Sequence, residues 1–257
     1  MITRSTQNIQ KFGIVSAVPG KICYGVSIGI LEHEVHQPFL PGDNLNMSTY
    51  PYPTRIKFMK GIKQADVLEN KRSLLEDIIK YERELALEGV KAITTCCGYY
   101  GIFQKEMANA VEIPVFSSSL LIVPLLVSML NENKKVGIVV ASKKHLTDNL
   151  LDAVGINKTI MSRVKIIGLD QCEEFTRVVI GDQPVGDYDK IKTEVVQAVS
   201  EEFKGDNSIG IIHLECSDLP PYSVYIQKET NLPVSDWISF IDFVHDITVK
   251  KAYGGFM

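Results

Sequence analysis

Two cysteines with matched surroundings are the residues of this chain best suited to chemistry. Cys97 closes the run Ile93-Thr94-Thr95-Cys96-Cys97, and Cys216 closes Ile212-His213-Leu214-Glu215-Cys216. Each run reads as a buried strand, followed by a helical segment and then a short strand opened by Pro114 or Pro233. The separations agree, since 114 − 97 = 17 and 233 − 216 = 17. The same offset of 119 pairs Phe103 with Tyr222, Met107 with Ile226 and Val115 with Val234, the mark of an internal duplication. In open parallel sheets ligands lie beyond the carboxyl ends of the strands, where helix N-termini aim unpaired N–H groups. A thiol there is expected to fall from a pKa near about 8.5 toward neutrality. Two such thiols flanking one cleft suit removal of a proton from one face of a carbon and return on the other. Backbone N–H groups that hold a carboxylate and its enolate-like charge would make pyridoxal phosphate or a metal unnecessary.

The elements that must position these thiols alternate between strand and helix. Strands are predicted at 26–31, 55–59, 90–95, 114–116, 136–140, 164–169 and 209–214, and helices at 73–88, 102–111, 120–130, 146–154 and 191–203. Ile28-Gly29-Ile30-Leu31 and Val136-Gly137-Ile138-Val139 open the two halves at an offset of 108, and a longer loop after the first strand absorbs the difference. The polar run Asn131 to Lys135 marks the boundary. The expectation is an α/β chain of two similar Rossmann-like (flavodoxin-like) parallel-sheet domains related by a pseudo-twofold axis, with the active-site cleft between them. The first half spans 1–133, the second 134–235, and a C-terminal segment 236–257 carries a last helix.

Composition narrows the function. Lys plus Arg is 27 against 31 Asp plus Glu, a net charge of −4, and the basic residues are scattered rather than clustered, which argues against a nucleic-acid partner. The apolar stretch Leu120 to Leu130 is broken by Pro124 and Ser128 and falls short of the roughly 20 residues that cross a bilayer, so no membrane helix is expected. The N-terminus lacks a signal-peptide pattern, so a cytoplasmic location is expected. Five cysteines argue against a disulfide framework. Of these, Cys23 and Cys172 read as packing or surface residues. Cys96 is expected to face away from a cleft that Cys97 faces, because side chains alternate along a strand. His213, Cys216 and the Cys96-Cys97 pair lack the second ligand pair of a zinc site, so no metal is expected. His213 reads as a buried supporting residue, Ser117 to Ser119 as helix caps, and Tyr99, Tyr100 and Tyr222 as candidates to close the site. Asp43 and Asn44 belong either to the cleft or to a Pro-Gly-Asp turn. Ser142 either holds substrate or caps a helix.

The two halves, the cysteine at each strand end, the segment Val136-Gly137-Ile138-Val139-Val140-Ala141-Ser142 and the motif Cys216-Ser217-Asp218-Leu219-Pro220-Pro221 together resemble the aspartate/glutamate/hydantoin racemase superfamily. The likeness runs from about Val26 to Asp246. It is strongest to a branch with Pro41-Gly42-Asp43-Asn44 ahead of an aromatic, proline-rich loop. The resemblance implies cofactor-independent racemisation or epimerisation beside a carboxylate or carbonyl, with Cys97 and Cys216 as acid and base. It also implies a last helix that returns to the first half, and a dimer or higher assembly. Gly98, Ser217, Ser142, Asp43, Asn44 and Thr95 are the candidate contacts to a small carboxylate or amide substrate. Family amino-acid racemases follow their cysteines with Asn-Thr and Thr-His, whereas this chain has Gly98-Tyr99 and Ser217-Asp218. Maleate-type cis–trans isomerisation by a covalent cysteine, and ligand binding without catalysis, are the alternatives.

Overall fold

A computed structural model of the chain describes residues 13–17, 19, 21 and 24–254. Cys23 and most of the N-terminal segment read above lie outside the described residues. The first half holds the strands β1 (Ile28–Glu34), β2 (Thr54–Lys63), β3 (Ala92–Thr95) and β4 (Val115–Phe116), and the second holds β5 (Lys135–Val140), β6 (Val164–Gly168), β7 (Ile209–Leu214) and β8 (Val234–Ser235). All pairings between them are parallel. The spatial orders are β2-β1-β3-β4 and β6-β5-β7-β8, so the two four-stranded sheets share one topology. The two-domain α/β architecture read from the sequence is therefore the fold of the molecule.

The central strands are apolar on both faces because helices cover both. Ile28, Ile30 and Leu31 of β1 and Val136, Ile138, Val139 and Val140 of β5 have no solvent exposure. The paired glycines of these strands have a packing cause. A Cβ on Gly29 would lie 2.7 Å from Leu85 of the helix Leu75–Leu87, and one on Gly137 would lie 2.9 Å from the Phe203 ring of the helix Tyr188–Phe203. Each half thus seats its covering helix on the bare backbone of its first strand.

Several predicted helices are shorter than their apolar spacing suggests. The span 102–111 is a 3-10 helix, Gly98–Phe103, that turns into the short helix Gln104–Ala108. Ser118 accepts from the Leu120 N–H and starts a 3-10 turn, and Pro124 then opens the helix Val123–Ser128. The helix Trp237–Thr248 begins in a capping box of Asp236 and Ser239. It lays Phe240 against Phe116 at 5.3 Å and stacks His245 on Tyr52 at 3.5 Å, both partners belonging to the first half. Among the described residues no helix is long and apolar enough to cross a membrane.

The contact between Gly137 and Phe203 makes a quantitative prediction. Gly137→Ala should destabilise the protein by about 1–3 kcal/mol in urea unfolding, because the added methyl overpacks a closed core. Adding Phe203→Leu should recover part of that loss, and additive effects of the two changes would rule out the contact as the cause.

Candidate active site

The site forms where β3 and β7 run out. The residue after each strand continues its ladder: the Cys96 N–H donates to Leu31 O at 3.0 Å, and the Glu215 N–H donates to Val139 O at 2.9 Å. Cys96 and Glu215 are thus equivalent under the offset of 119. One residue on, the chain turns, and the backbone N–H two residues ahead acts on each sulfur, that of Tyr99 on Cys97 and that of Asp218 on Cys216. The pseudo-twofold relation therefore extends to the hydrogen bonds on the thiols.

Cys97 and Cys216 line one narrow cavity of about 30 Å³ between the halves. Its walls include His33, Gln37, Cys96 and Tyr99 from the first half, and Glu215, Ser217 and Asp218 from the second. Hydrogen bonds lace the halves around it. Ser217 Oγ donates to Cys96 O at 2.7 Å, Ser119 Oγ donates to Glu215 O at 2.9 Å, and Tyr99 OH donates to Ser142 O at 2.6 Å. Gln37 Nε2 donates to Asp218 Oδ1 at 2.5 Å, which leaves the buried Gln37 Oε1 without a hydrogen-bond partner. Over the outer edge, Asp182 takes the His36 side chain at 2.7 Å, and Tyr188 OH donates to Pro38 O at 2.7 Å.

Burial dominates the electrostatics. Both thiols are held well above the ordinary thiol value, first by removal from water and then by nearby carboxyls: Glu215 beside Cys97, and Asp218 and Glu215 beside Cys216. The N–H groups at the strand ends act in the opposite direction and are outweighed. The expectation of thiols lowered toward neutrality is thus corrected, since a helix-start dipole does not offset desolvation among acids. Burial also pushes Glu215 up to about 8. Asp43 is raised well above the carboxylate range by burial and by Asp218, to which it is hydrogen-bonded. Asp43 therefore keeps its proton, and Asp218 is the better seat for the single charge of that pair. Cys216 Sγ donates to Asp218 Oδ2 at 3.4 Å, which sets a thiol against a proton acceptor. On the other side, Cys96 Sγ lies 3.3 Å from His33 Nδ1, and burial lowers that imidazole to about 4.

The structure sorts the sequence candidates. Cys97, Cys216 and Ser217 line the cavity, and Gly98 abuts it, for a Cβ there would lie 1.8 Å from Glu215 Oε1. Thr95 and Asn44 brace the loops instead: Thr95 Oγ1 donates to Ser117 O at 2.8 Å, and Asn44 Nδ2 donates to Thr95 O at 3.1 Å. Asp43 acts behind the wall through Asp218. Ser142 does not face the cavity, since its hydroxyl donates to Asp170 at 2.6 Å and its neighbour Ala141 supplies the wall. Cys96 does line the cavity, against the expectation from strand alternation, because the strand ends at Thr95. Tyr100 stands behind His33 at 3.2 Å, and Tyr222 lines a smaller adjoining cavity with Asp43 and Asp218. His213 is a buried support between Ser119 and Ser235, and Cys172 is buried in the second half. Among the described residues no group of His, Cys, Asp and Glu is arranged to hold a metal. Glu215, Asp218, Gln37 and His33 were missed as site residues, yet the offset of 119 already pairs Glu215 with Cys96.

Comparison with known proteins separates fold from activity. The chain shares its fold with glutamate racemase from Bacillus anthracis (TM-score 0.53, 16% identity, 88% of this chain and 85% of that one). It also shares it with arylmalonate decarboxylase (TM-score 0.53, 13% identity, 88% and 94%). No family model matches the sequence. In sequence it is similar to a dimethylsulfoniopropionate lyase from Durusdinium sp. clade D, 28% identical over 229 residues, 84% of this chain and 73% of that protein. It is likewise similar to dimethylsulfoniopropionate lyase 7 from Emiliania huxleyi, 26% identical over 230 residues. The chain spans 85% of itself and 66% of that relative in the match. Both comparisons return enzymes. The expected racemase or isomerase activity is corrected, because the relatives by sequence are named lyases and the racemase likeness is one of fold.

The raised thiols predict slow chemistry in the resting protein. Iodoacetamide should alkylate Cys97 and Cys216 more slowly at pH 7 than free cysteine, with rates still climbing above pH 9. Peptide mass mapping reads each site, and fast, pH-independent labelling at pH 7 would show stable thiolates instead.

Proposed function

We propose that this chain is a carbon–sulfur lyase acting on a small β-sulfonio carboxylate, with dimethylsulfoniopropionate as the substrate its relatives name. The observation that carries the reading is the character of the cavity wall. Among the described residues it presents Asp218, Glu215 and the unpartnered Gln37 Oε1, and neither Lys nor Arg. Such a wall suits a substrate end that is positive and accepts no hydrogen bonds, as a sulfonium is.

The cation also answers the problem the thiols pose. Carboxyl groups hold Cys216 protonated, and a positive charge arriving at about 4 Å offsets them by roughly 4 kcal/mol at an effective dielectric near 20. That is enough to move a thiol's ionisation by about three pH units. In the step, Cys216 passes its proton to Asp218 and the thiolate takes the proton from the carbon next to the substrate carboxylate. The electron pair left on that carbon becomes the new C=C bond as the bond from the β-carbon to sulfur breaks. Sulfur keeps the bonding pair and departs as neutral dimethyl sulfide, leaving acrylate, and one proton is released to solvent. Elimination needs one base and a leaving group, so Cys97 forms the facing wall and returns no proton.

Release of dimethyl sulfide into headspace, with acrylate followed by NMR, tests the reading. Cys216→Ala should lose activity by roughly 10³-fold or more and Asp218→Asn by about 10²–10⁴-fold, while Cys97→Ser should retain more than either. No dimethyl sulfide from the wild-type protein would end the lyase reading. A fully active Asp218→Asn variant would remove Asp218 from the step.

A further inference from the structure

Glu215 has no part in the proton transfer just described, yet it is 1% exposed and lines the same cavity. Its Oε2 takes one long hydrogen bond, 3.4 Å from the Ala141 N–H. Its Oε1 lies over the first residue of the 3-10 helix Gly98–Phe103, 1.8 Å from where any side chain at position 98 would begin. The carboxyl therefore closes the cavity against the bare backbone of Gly98, where a substrate carboxylate entering the cavity would meet it. Two ionised carboxylates cannot share that place, but an acid and a carboxylate can share one proton.

We infer that Glu215 is a neutral carboxylic acid that donates a hydrogen bond to the substrate carboxylate, holding it and stabilising the charge that gathers there as the α-proton leaves. The inference rests on the lyase reading and adds the residue that selects for a carboxylate. The groups facing Glu215 are the Cys97 thiol and Tyr99 hydroxyl from one side and Cys216 and Asp218 from the other, none of them a cation. Burial holds its proton up to about 8, with Asp218 adding to the rise and the Ala141 N–H opposing it. Asp218 keeps the negative charge for the sulfonium, so the cavity carries an acid at one end and a base at the other.

Two readouts test this, each on wild type, Glu215→Gln and Glu215→Ala from pH 6 to 9.5. The first is binding of propionate, an unreactive carboxylate, by calorimetry, and the second is dimethyl sulfide release. Wild type should bind propionate with an affinity that falls about tenfold per pH unit above 8 as the donor is lost. Glutamine donates at every pH, so Glu215→Gln should bind without that alkaline fall and keep turnover within about tenfold of wild type. Glu215→Ala should bind roughly 10- to 100-fold more weakly, the weight of a hydrogen bond to a charged group. An alkaline fall that persists in Glu215→Gln, or propionate held by Glu215→Ala as tightly as by wild type, would overturn the assignment. Should the alanine variant not fold, the glutamine pH profile decides alone. Wild type that binds propionate with the predicted pH dependence but releases no dimethyl sulfide would sink the lyase reading and leave Glu215 as a carboxylate donor. Normal turnover with no change in either variant would do the reverse.

Discussion

The structure depends on the meeting of two strand ends away from water. When β3 and β7 converge across the pseudo-axis, they bring Cys96, Cys97, Glu215, Cys216 and Asp218 into one narrow cavity. Ionising any of them there costs several kcal/mol without a partner, and among the described residues no Lys or Arg lines the cavity. The cluster survives by holding its protons: Glu215 and the thiols stay neutral, and Asp43 and Asp218 share one proton between them. The hydrogen bonds between the halves, from Ser217 to Cys96 and from Ser119 to Glu215, hold the two strand ends together around that cluster.

Duplication supplies the frame, and departures from symmetry supply the chemistry. The equivalent positions Cys97 and Cys216 keep the same residue and the same backbone hydrogen bond. Their neighbours differ. Tyr99 of the first half corresponds to Asp218 of the second, and it is Cys216 that gains a carboxylate as a hydrogen-bond partner. Cys96 corresponds to Glu215, so one side of the cavity offers a thiol on a neutral imidazole and the other a carboxylic acid. Inversion at carbon would call for two like groups on opposite faces. An acid, a base and a thiol that differ from their counterparts are better matched to a reaction in which one bond is broken beside a charged leaving group.

The sequence shows some of this plainly and hides the rest for identifiable reasons. Strand and helix order, and the equivalence of Cys97 and Cys216, follow from apolar periodicity and counting, which depend on local pattern. The glycines at 29 and 137 were visible as a repeat, but their cause lies in Leu85 and Phe203, which are far off in the chain. Cys96 was placed on the wrong side because alternation was carried one residue past the end of β3. Of the two roles open to Ser142, substrate contact fails and the place at the start of a 3-10 turn holds, because Asp170, its partner beyond the end of β6, gives no signal in the segment around Ser142. The thiol pKa was misjudged for a related reason: the helix-start dipole is local and legible, whereas burial and the carboxyls of Glu215 and Asp218 appear only when the halves close. The Ser217-Asp218 departure from the amino-acid racemase pattern was the one local sign that the chemistry differs.

A site that keeps its bases protonated at rest has a consequence for selectivity. With no lining Lys or Arg, a substrate that is only an anion meets Asp218 and the neutral thiols and finds nothing to move the proton from Cys216. A cation without a carboxylate leaves the Glu215 acid without a partner to accept its proton. A zwitterion satisfies both ends and changes the thiol's ionisation by its own charge, so binding and activation become one event. The acidic net charge of −4, unhelpful for attracting an anion, is then no obstacle, because the proposed substrate as a whole is neutral and its positive end is the one drawn to Asp218.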